Sequence, residues 1–432
     1  MEEMLELSRK LGAEAEVYKI TSEETTVKFE ANRLKHIQGK QSSSTSLRII
    51  KDGKIGYATT SGQTNPEKLV NAAVETSRFG MEAKFKFPSF TSFPEVTIND
   101  AEINKITMEE MIKLCENMIA PLREHTPDLL CEAGVSKAIV TVELVNSSHG
   151  KASYTKSIFS LGVEGTLVRD TDMLFVGDYT SSCQPVVNVQ ELTRSVIYQL
   201  ECARRQAKVS TGKLPVIFTP DGFTSAFIAS LTAAFNGKLV LEGASPIGNS
   251  LGKLVFDEKF TLIDDTLINY KPGSRPCDDE GVPSQRTLLV EKGRVTAFLY
   301  DLQTAARAGK KSTGNGIRGG GLPSPAPGAL VIEPGNTPYN EMLKDIKEGL
   351  VIEQLMGAEQ GNVLGGEFSG NVLLGYKVEN GEITGRVKDT MISGNIYDLL
   401  KNIIALSEEH KWVGGFMQVP YVYLPAVSVA SR

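Results

Sequence analysis

The chain alternates between segments with helical spacing of apolar residues and segments with strand spacing. Residues 4–11 place apolar side chains along one helical face and are followed by Gly12, which predicts a short helix. Residues 44–51 and 54–60 alternate in part between apolar and polar side chains. They flank Asp52-Gly53, a pair that favours a tight hairpin turn. The first hundred residues therefore indicate a small unit in which strands pack with helices.

Helix start signals mark two further segments. Asn65 precedes Pro66, the favoured order of a cap and a first helical residue, so a helix is predicted from Pro66 onwards. Residues Thr107 to Glu110 spell a capping box in front of an apolar stripe. Pro121 is expected to kink or end the helix that this box starts, because proline lacks the backbone N–H.

Strand signals dominate the second half of the chain. Four strands between residues 139 and 179 and a helix over 192–203 precede this region. Strands are then predicted at 216–218, 260–263, 287–291, 295–300, 329–332, 351–356, 372–378 and 421–427. Helices are predicted from Asp221, as the cap, to Gly237, at Tyr339–Lys347 and at Ile396–Leu406.

These elements predict an α+β fold with mixed antiparallel sheets and helices. The chain has 432 residues, more than one compact core normally holds, so several domains are expected. We predict an N-terminal α+β domain at 1–95, a middle α+β domain at 105–210 and a larger, strand-rich C-terminal domain at 214–432.

Bulk composition argues against several classes of function. Lys and Arg number 46 against 52 Asp and Glu, without a basic cluster, so direct nucleic-acid binding is not expected. No apolar run approaches the roughly 20 residues that span a bilayer, and the acidic start is not a signal peptide, so a cytoplasmic protein without membrane contact is expected. The 5 cysteines include no Cys-x-x-Cys pair and are expected to be reduced.

The stretch 277–316 combines a run of acids, apolar residues and a Gly-rich loop, a suitable combination for one wall of a cleft. Residues 314–319 match the spelling Gly-x-Gly-x-x-Gly, but a predicted helix precedes them and prolines follow. That context does not fit a dinucleotide fingerprint, so a loop covering a cleft is the better interpretation. The acids at 278–280 favour turns and caps over a catalytic pair, because neighbours on an extended chain point to opposite faces.

No pattern of metal ligands is present. The histidines are His36, His125, His149 and His410, and none lies within four residues of another. Zinc peptidases place two histidines on one helical face, so that both reach one ion. The sequence therefore predicts no metal site in this chain.

Six short segments carry a resemblance to a known family. They are Asp-Asp-Glu-Gly-Val-Pro at 278–283, Gly-Arg-Val at 293–295, Asp-Leu-Gln-Thr-Ala at 301–305, Ser-Thr-Gly-Asn at 312–315, Gly-Gly-Glu-Phe-Ser-Gly at 365–370 and Glu-Asn-Gly-Glu-Ile at 379–383. By their order and spacing the chain resembles the TldD/PmbA family over essentially its whole length. Members of this family are named as modulators of DNA gyrase and as metallopeptidase subunits.

The resemblance also implies a branch of that family. TldD-type chains carry His-Glu-x-x-x-His on a helix and a late cysteine, and these residues bind zinc. The corresponding helix here, Asp221–Phe235, has no such ligand after its cap, and no cysteine follows Cys277. The chain thus resembles the PmbA (TldE) branch. This implies a non-catalytic subunit without a cofactor of its own, in an assembly that cuts short or unfolded peptides with zinc held by a TldD-like partner.

No catalytic residue is predicted in this chain. The residues expected at the wall of a substrate cleft are Asp278, Asp279, Glu280, Asp301, Thr304, Thr313, Gly314, Asn315 and Arg318. Of these, the acids at 278–280 are expected to organise their loop.

Two alternatives stay open at this level. The chain could be a stand-alone, homodimeric interaction protein that modulates DNA gyrase or another partner without hydrolysis. It could also be a metal-free hydrolase that uses the acidic run. The partner is accordingly either a TldD-like zinc subunit or a second copy of this chain.

Overall fold

The structure is a computed structural model that describes residues 1–63, 65–170 and 172–431. Helices hold 22% of the residues and strands 43%, in antiparallel and mixed sheets, which confirms the predicted α+β class. Within these ranges no helix combines the length and the apolar character needed to cross a membrane. Arg432, the last residue of the predicted C-terminal domain, lies outside the described residues.

A six-stranded antiparallel sheet organises the N-terminal half. Its strands are β1 (Glu14–Glu30), β2 (Arg33–Lys51), β3 (Lys54–Ser61), β4 (Leu130–Asn146), β5 (Lys151–Arg169) and β6 (Asp172–Ser182), in the spatial order β3-β2-β1-β4-β5-β6. Because β1 pairs with both β2 and β4, strands from the predicted first and middle domains belong to one sheet. The boundary between those two domains stays a prediction.

Helices cover one side of this sheet. They are α1 (Glu2–Lys10), α2 (Pro66–Ser77), α3 (Glu102–Lys105), α4 (Met108–His125) and α5 (Gln190–Cys202). The Asn65 side chain caps α2 by accepting the N–H of Lys68 at 3.0 Å, and Thr107 and Glu110 form the capping box of α4. Both predicted helix starts are therefore confirmed.

The two faces of the six-stranded sheet have different surroundings. Along β5, Leu161 and Val163 are buried in the core that α4 and α5 share, whereas Gly162 between them is partly exposed on the opposite face. At one end of that opposite face, Tyr18 packs with Cys277 of the C-terminal half in a small core. Further along, the same face lines a cleft.

A larger mixed sheet organises the C-terminal half. Its strands are β7 (Gln206–Ala207), β8 (Gly212–Phe218), β9 (Leu262–Asp265), β10 (Arg286–Glu291), β11 (Arg294–Val295), β14 (Leu330–Ile332), β15 (Glu348–Met356), β16 (Glu367–Glu379), β17 (Glu382–Val387), β18 (Thr390–Asn395), β19 (Ala405–Val413) and β20 (Met417–Ser431). The main path runs β11-β10-β9-β14-β20-β8-β15-β16-β17-β7, with β18 and β19 also paired to β20. Between them in the chain, β12 (Gly316–Ile317) and β13 (Ser324–Pro325) form a separate two-stranded ribbon.

One long helix packs its aromatic side on this sheet. The C-terminal helices are α6 (Pro220–Ala234), α7 (Gly237–Leu241), α8 (Leu302–Arg307), α9 (Tyr339–Asp345) and α10 (Ile396–Leu399). On α6, Phe223 and Phe227 stack with their ring centres 4.5 Å apart, and Phe227 also meets Phe218 of β8 edge to face at 5.1 Å. This buried aromatic contact holds α6 against the sheet. The first turn of α6 faces the cleft.

Two predicted helices end at other residues than expected. The helix with the capping box does not end at Pro121, one of the two outcomes expected there, but continues to His125, because burial of Leu122 offsets the backbone bond that proline removes. The helix predicted at Ile396–Leu406 stops at Leu399, because residues from Ala405 onwards pair with β20 as β19. In both cases, tertiary packing overrides the local signal.

The strand predicted at 295–300 is also wrong beyond Val295. Leu299 donates its N–H to the carbonyl of Phe235 at 2.9 Å and accepts the N–H of Gly237, likewise at 2.9 Å. Its backbone is therefore bonded to the segment after α6. The helix α6 was expected to reach Gly237 but ends at Ala234, and the segment bonded to Leu299 follows directly.

Candidate functional site

The acidic loop at 278–280 orders both its own backbone and the Gly-rich segment. Oδ1 of Asp278 accepts the N–H groups of Glu280 and Val282 at 3.0 and 2.9 Å, and Oδ2 accepts that of Gly316 at 2.8 Å. Asp279 accepts the N–H of Arg318 at 2.8 Å. Asp278 is 1% exposed, so its bonds replace those that water would make.

An ion cluster joins this loop to the N-terminal sheet. Nη2 of Arg48, on β2, lies 2.9 Å from Oε1 of Glu16 on β1, and its Nη1 lies 2.5 Å from Oε1 of Glu280. Arg318 pairs with the same Glu16 oxygen and stands 5.1 Å from the ring centre of Tyr18. None of the four charged side chains is more than 3% exposed, so the charges are balanced by one another and not by water.

Asp301 and Thr304 lie beside this cluster at the start of α8. Oδ1 of Asp301 accepts the N–H of Thr304 at 2.6 Å, and Oγ1 of Thr304 accepts the N–H of Asp301 at 3.2 Å. The next N–H, of Leu302, donates to Oε2 of Glu280 at 2.7 Å. The start of α8 is thus tied to the same carboxylate that binds Arg48.

Thr313, Gly314 and Asn315 shape the Gly-rich segment. Oγ1 of Thr313 accepts the N–H of Tyr300 at 2.8 Å, and Nδ2 of Asn315 donates to the Asp264 carboxylate at 2.6 Å. Gly314 has a φ of 72°, and a Cβ there would lie 2.6 Å from a backbone oxygen, so the turn requires glycine.

The structure gathers the nine predicted residues around one buried network where the N-terminal sheet meets the C-terminal half. None of the nine lines the cleft described below. Their contacts are those of residues that order loops and caps. A role at a substrate wall stays a prediction of the sequence.

Burial raises the pKa of several carboxyl groups in this network. It raises the pKa of Glu16, although Arg48 opposes the shift. Burial, and then the charge of Glu280, raise the pKa of Asp278 well above its ordinary value and that of Asp301 to about 6. The network therefore retains protons at a pH where exposed carboxyl groups would have lost them.

Removal of the Asp301 carboxyl group is expected to change how stability depends on pH. A group whose pKa is about 6 in the fold and 3.8 ordinarily stabilises the fold below pH 4 and loses that contribution as the pH rises to 6. Asp301→Asn keeps a side chain that caps helices but does not titrate. The variant should therefore gain up to about 3 kcal/mol relative to the wild type between pH 4 and pH 7. Urea unfolding at several pH values measures the difference.

Asp398→Asn is the matched control for this experiment. The Asp398 side chain is 74% exposed and, among the described residues, forms an ion pair with Lys401 alone, one turn away. Its effect should be small at every pH. A constant difference between Asp301→Asn and the wild type over this pH range would contradict the prediction.

A cleft of about 700 Å³ lies between the open face of the N-terminal sheet and the C-terminal half. Its floor comes from β4, β5 and β6, where Gly134 pairs directly with Gly162. Gly134 exposes its backbone, whereas Tyr179 packs over Gly162. The opposite wall contains the first turn of α6 and residues 353–355 of β15. Cavities of about 300–1,000 Å³ are typical of ligand sites.

Thr219, and not Asp221 as predicted, caps the helix that forms this wall. The Thr219 side chain accepts the N–H of Gly222 at 3.2 Å. Asp221 consequently lies within the first helical turn. It lines the cleft together with Thr224 and Ser225.

Asp221 belongs to a polar group at this wall. Nζ of Lys411, on β19, lies 2.8 Å from Oδ2 of Asp221 and also pairs with Asp178 on β6. Glu353 on β15 completes the group and is hydrogen-bonded by the side chain of Thr219. Burial, and then the negative charge of Asp221, raise the pKa of Glu353 to about 7. One ammonium and three carboxyl groups thus come together beside the cleft.

Family models match both halves of this architecture. The PmbA/TldA metallopeptidase C-terminal domain matches residues 211–431, and domain 1 of the same metallopeptidase matches residues 15–77. The chain belongs to the TldD/PmbA family. The resemblance inferred from the short sequence segments is confirmed.

Individual TldD/PmbA relatives agree with this assignment. An uncharacterized protein of Methanocaldococcus jannaschii is 28% identical over 418 residues, which cover 94% of this chain and 95% of that protein. Metalloprotease PmbA of Escherichia coli O157:H7 is 31% identical over 239 residues, which cover 54% of this chain and 50% of that protein. The crystal structure of TldE from Thermococcus kodakarensis matches with a TM-score of 0.88 at 22% identity, covering 100% of both chains, which shows a common fold.

The residues of α6 do not fit the zinc site of TldD-type members of the family. The cleft-facing side chains of its first turns are one carboxylate, from Asp221, and the hydroxyl groups of Thr224 and Ser225. Structural and catalytic zinc sites need three or four ligands drawn mainly from His, Cys and carboxylates. Across the three described ranges, no group of three or more such side chains could hold a metal ion.

Sequence reasoning missed the charged residues that distant strands contribute to this TldD/PmbA fold. They are Glu16, Arg48, Asp178, Glu353 and Lys411. A signal existed for the first two, because each stands between two apolar residues that are buried in the sheet. A charge inside an apolar run indicates a buried partner, although the sequence does not say which one.

Proposed function

We propose that this chain is the non-zinc, PmbA/TldE-like subunit of a TldD/TldE-type metallopeptidase assembly that acts on short or unfolded peptides. The observation that best supports this proposal is the chemistry of α6. By the family resemblance, α6 corresponds to the helix that carries His-Glu-x-x-x-His in TldD-type chains. Its cleft-facing hydroxyl groups, of Thr224 and Ser225, donate to carbonyl groups of α6 at 2.8 Å and can accept N–H groups of a peptide, but they cannot hold zinc and activate water.

In this proposal, the cleft contributes part of the surface along which the peptide passes. Gly134 leaves room for an extended backbone to approach the floor, because a Cβ there would meet no atom closer than 4.0 Å. Thr224 and Ser225 offer hydrogen-bonding groups on the opposite wall. Zinc comes from the TldD-like partner, so this chain requires no cofactor of its own.

Reconstitution with a TldD-type zinc subunit tests the proposed function. The two chains are expected to form a heteromeric complex in light scattering, and the complex should cleave an unfolded peptide faster than the zinc subunit alone. This chain by itself should neither cleave the peptide nor retain stoichiometric zinc in a metal analysis.

A zinc subunit whose motif glutamate is replaced by glutamine provides the control, because it should form the complex and leave the peptide uncut. A complex no more active than the zinc subunit alone would overturn the proposal. So would a stable homodimer of this chain that ignores the zinc subunit, since that result favours a stand-alone interaction protein.

A further inference from the structure

The cleft is strongly acidic. Its lining includes five carboxylate side chains, Glu132, Glu164, Asp178, Asp221 and Glu353, against a single lysine, Lys28. A cavity lined by one sign of charge attracts ligands of the other sign. The lining therefore favours a cationic ligand.

Three of these carboxylates already have a cation, and for Glu132 it is Lys28, whose Nζ lies 3.6 Å from Oε2. The ammonium of Lys411 stands between Asp178 and Asp221, and Asp221 also lies in the first turn of α6, where the helix dipole favours a negative charge. Glu353 differs from these three. In the part of the chain that the structure describes, no lysine or arginine forms an ion pair with it.

The backbone at Glu353 is irregular. β15 and β16 pair Ile352 with Gly375 and then Gln354 with Leu374, so Glu353 is an extra residue without an opposite partner. Such a bulge changes the direction of a side chain, and bulges are frequent next to functional sites. Here the bulge brings the Glu353 side chain into the lining of the cleft.

A buried hydroxyl group next to Glu353 lacks a hydrogen-bond partner. Tyr376 pairs with Val351, two residues before Glu353, and its side chain is 0% exposed. Its hydroxyl group has no partner among the described residues, and the charge of Glu353 acts on it. Tyr376 is not among the residues that line the cleft, so its hydroxyl group belongs to the buried surroundings of Glu353 and not to the ligand-facing surface.

We propose that Glu353 binds a primary ammonium group of a peptide that lies over the floor of the cleft beside Gly134, and that Asp221 and Asp178 add negative charge nearby. The ammonium is either the amino terminus of the peptide or a lysine side chain. The ammonium group of Lys411 already lies between Asp178 and Asp221, so this wall of the cleft is able to bind an ammonium group. The inference rests on the proposed function only in taking a peptide as the ligand.

The titration of Glu353 makes the proposal dependent on pH. Three charged groups act on Glu353, namely Asp221, Asp178 and Lys411. Four tyrosines respond to its charge, namely Tyr198, Tyr339, Tyr376 and Tyr421, and the thiol of Cys202 lies near two of them. The pKa of each of these four tyrosines is raised, so they stay neutral near pH 7. Glu353, whose pKa is about 7, therefore changes charge near neutral pH, where the tyrosines do not.

Calorimetric titration of the full chain with three peptides tests the proposal. The peptides are tetra-alanine amide with a free amino terminus, its N-acetyl form, and the N-acetyl form with lysine at the second position. At least one of the two peptides with an ammonium group should bind about tenfold more tightly than the neutral peptide at pH 7.5. Which of the two does so identifies the source of the ammonium.

The pH dependence gives a second test. Affinity for an ammonium-bearing peptide should rise about tenfold between pH 6 and pH 8, because the ionised fraction of a carboxyl group with a pKa of about 7 rises from roughly one tenth to nine tenths. The lysine peptide is preferred for this series, since its ammonium stays charged throughout.

Glu353→Gln should remove both the discrimination between peptides and the rise with pH. Glu348→Gln is the matched control, because Glu348 lies on the same strand, is 45% exposed and pairs with Lys377 at 3.7 Å. Equal affinity for all three peptides, no detectable binding of any, or unchanged discrimination in Glu353→Gln would each overturn the proposal. The comparison of peptides on the wild type decides the question even if Glu353→Gln fails to fold.

This test is independent of the zinc partner. Ammonium-specific binding by the isolated chain, without any enhancement of cleavage in the complex, would leave this inference standing and remove the proposed function. The reverse result would remove only the inference.

Discussion

Arg48→Met is expected to destabilise the protein by about 3–5 kcal/mol. Arg48 is 2% exposed and is the shared partner of Glu16 and Glu280, so its loss leaves two buried carboxylates short of a positive charge. Its guanidinium also lies 4.7 Å from the ring centre of Phe85 and 5.3 Å from that of Phe87. Urea unfolding at pH 7 measures the loss.

Two further variants make the result specific to the ion cluster. Arg9→Met removes an arginine that is 76% exposed and should cost less than about 1 kcal/mol. The double variant Arg48→Met/Glu280→Gln should be less destabilised than the sum of its single changes, because one uncompensated charge disappears. A loss below 1 kcal/mol for Arg48→Met would show that the cluster does not hold the two halves together.

Phe227→Ala is expected to cost a similar amount, about 3–5 kcal/mol. The ring of Phe227 is 0% exposed and contacts three others, those of Phe218, Phe223 and Phe368. Removing it leaves a cavity under the middle of α6 that neighbouring strands cannot close without moving. Thermal and urea unfolding both measure the effect.

Phe79→Ala is the control for this prediction. Phe79 is 92% exposed, so its truncation should change stability by no more than about 0.5 kcal/mol. Phe227→Leu should fall between the two, because leucine refills most of the volume. Equal stabilities for Phe227→Ala and Phe79→Ala would contradict the packing of α6 described above.

These two regions fix the surfaces on either side of the cleft. The ion cluster fastens one end of the N-terminal sheet to the loop at 278–280, and the aromatic contact fastens α6 to the C-terminal sheet. The cleft lies between these two fixed surfaces. Its floor of glycines and its acidic wall are thus positioned by residues that do not line it.

Several features could be predicted because they depend on local interactions. The caps of α2 and α4 were predicted at Asn65 and Thr107, where side chains bond to N–H groups within three residues. The α+β class followed from the spacing of apolar residues. The family followed from the order of its short segments, and the lack of a paired-histidine motif is a property of the sequence itself.

Only the tertiary structure decided which charges meet. Arg48 and Glu280 are 232 residues apart in the chain, and Asp178 and Lys411 are 233 apart. No local pattern encodes such pairs, because they arise where a strand of one sheet approaches a loop or a strand from the other half of the chain. The sequence alone established the elements and the family. Folding then buried the predicted acids away from the cleft and, through a bulge in β15, placed the unpredicted Glu353 in it, where burial raises its pKa to about 7.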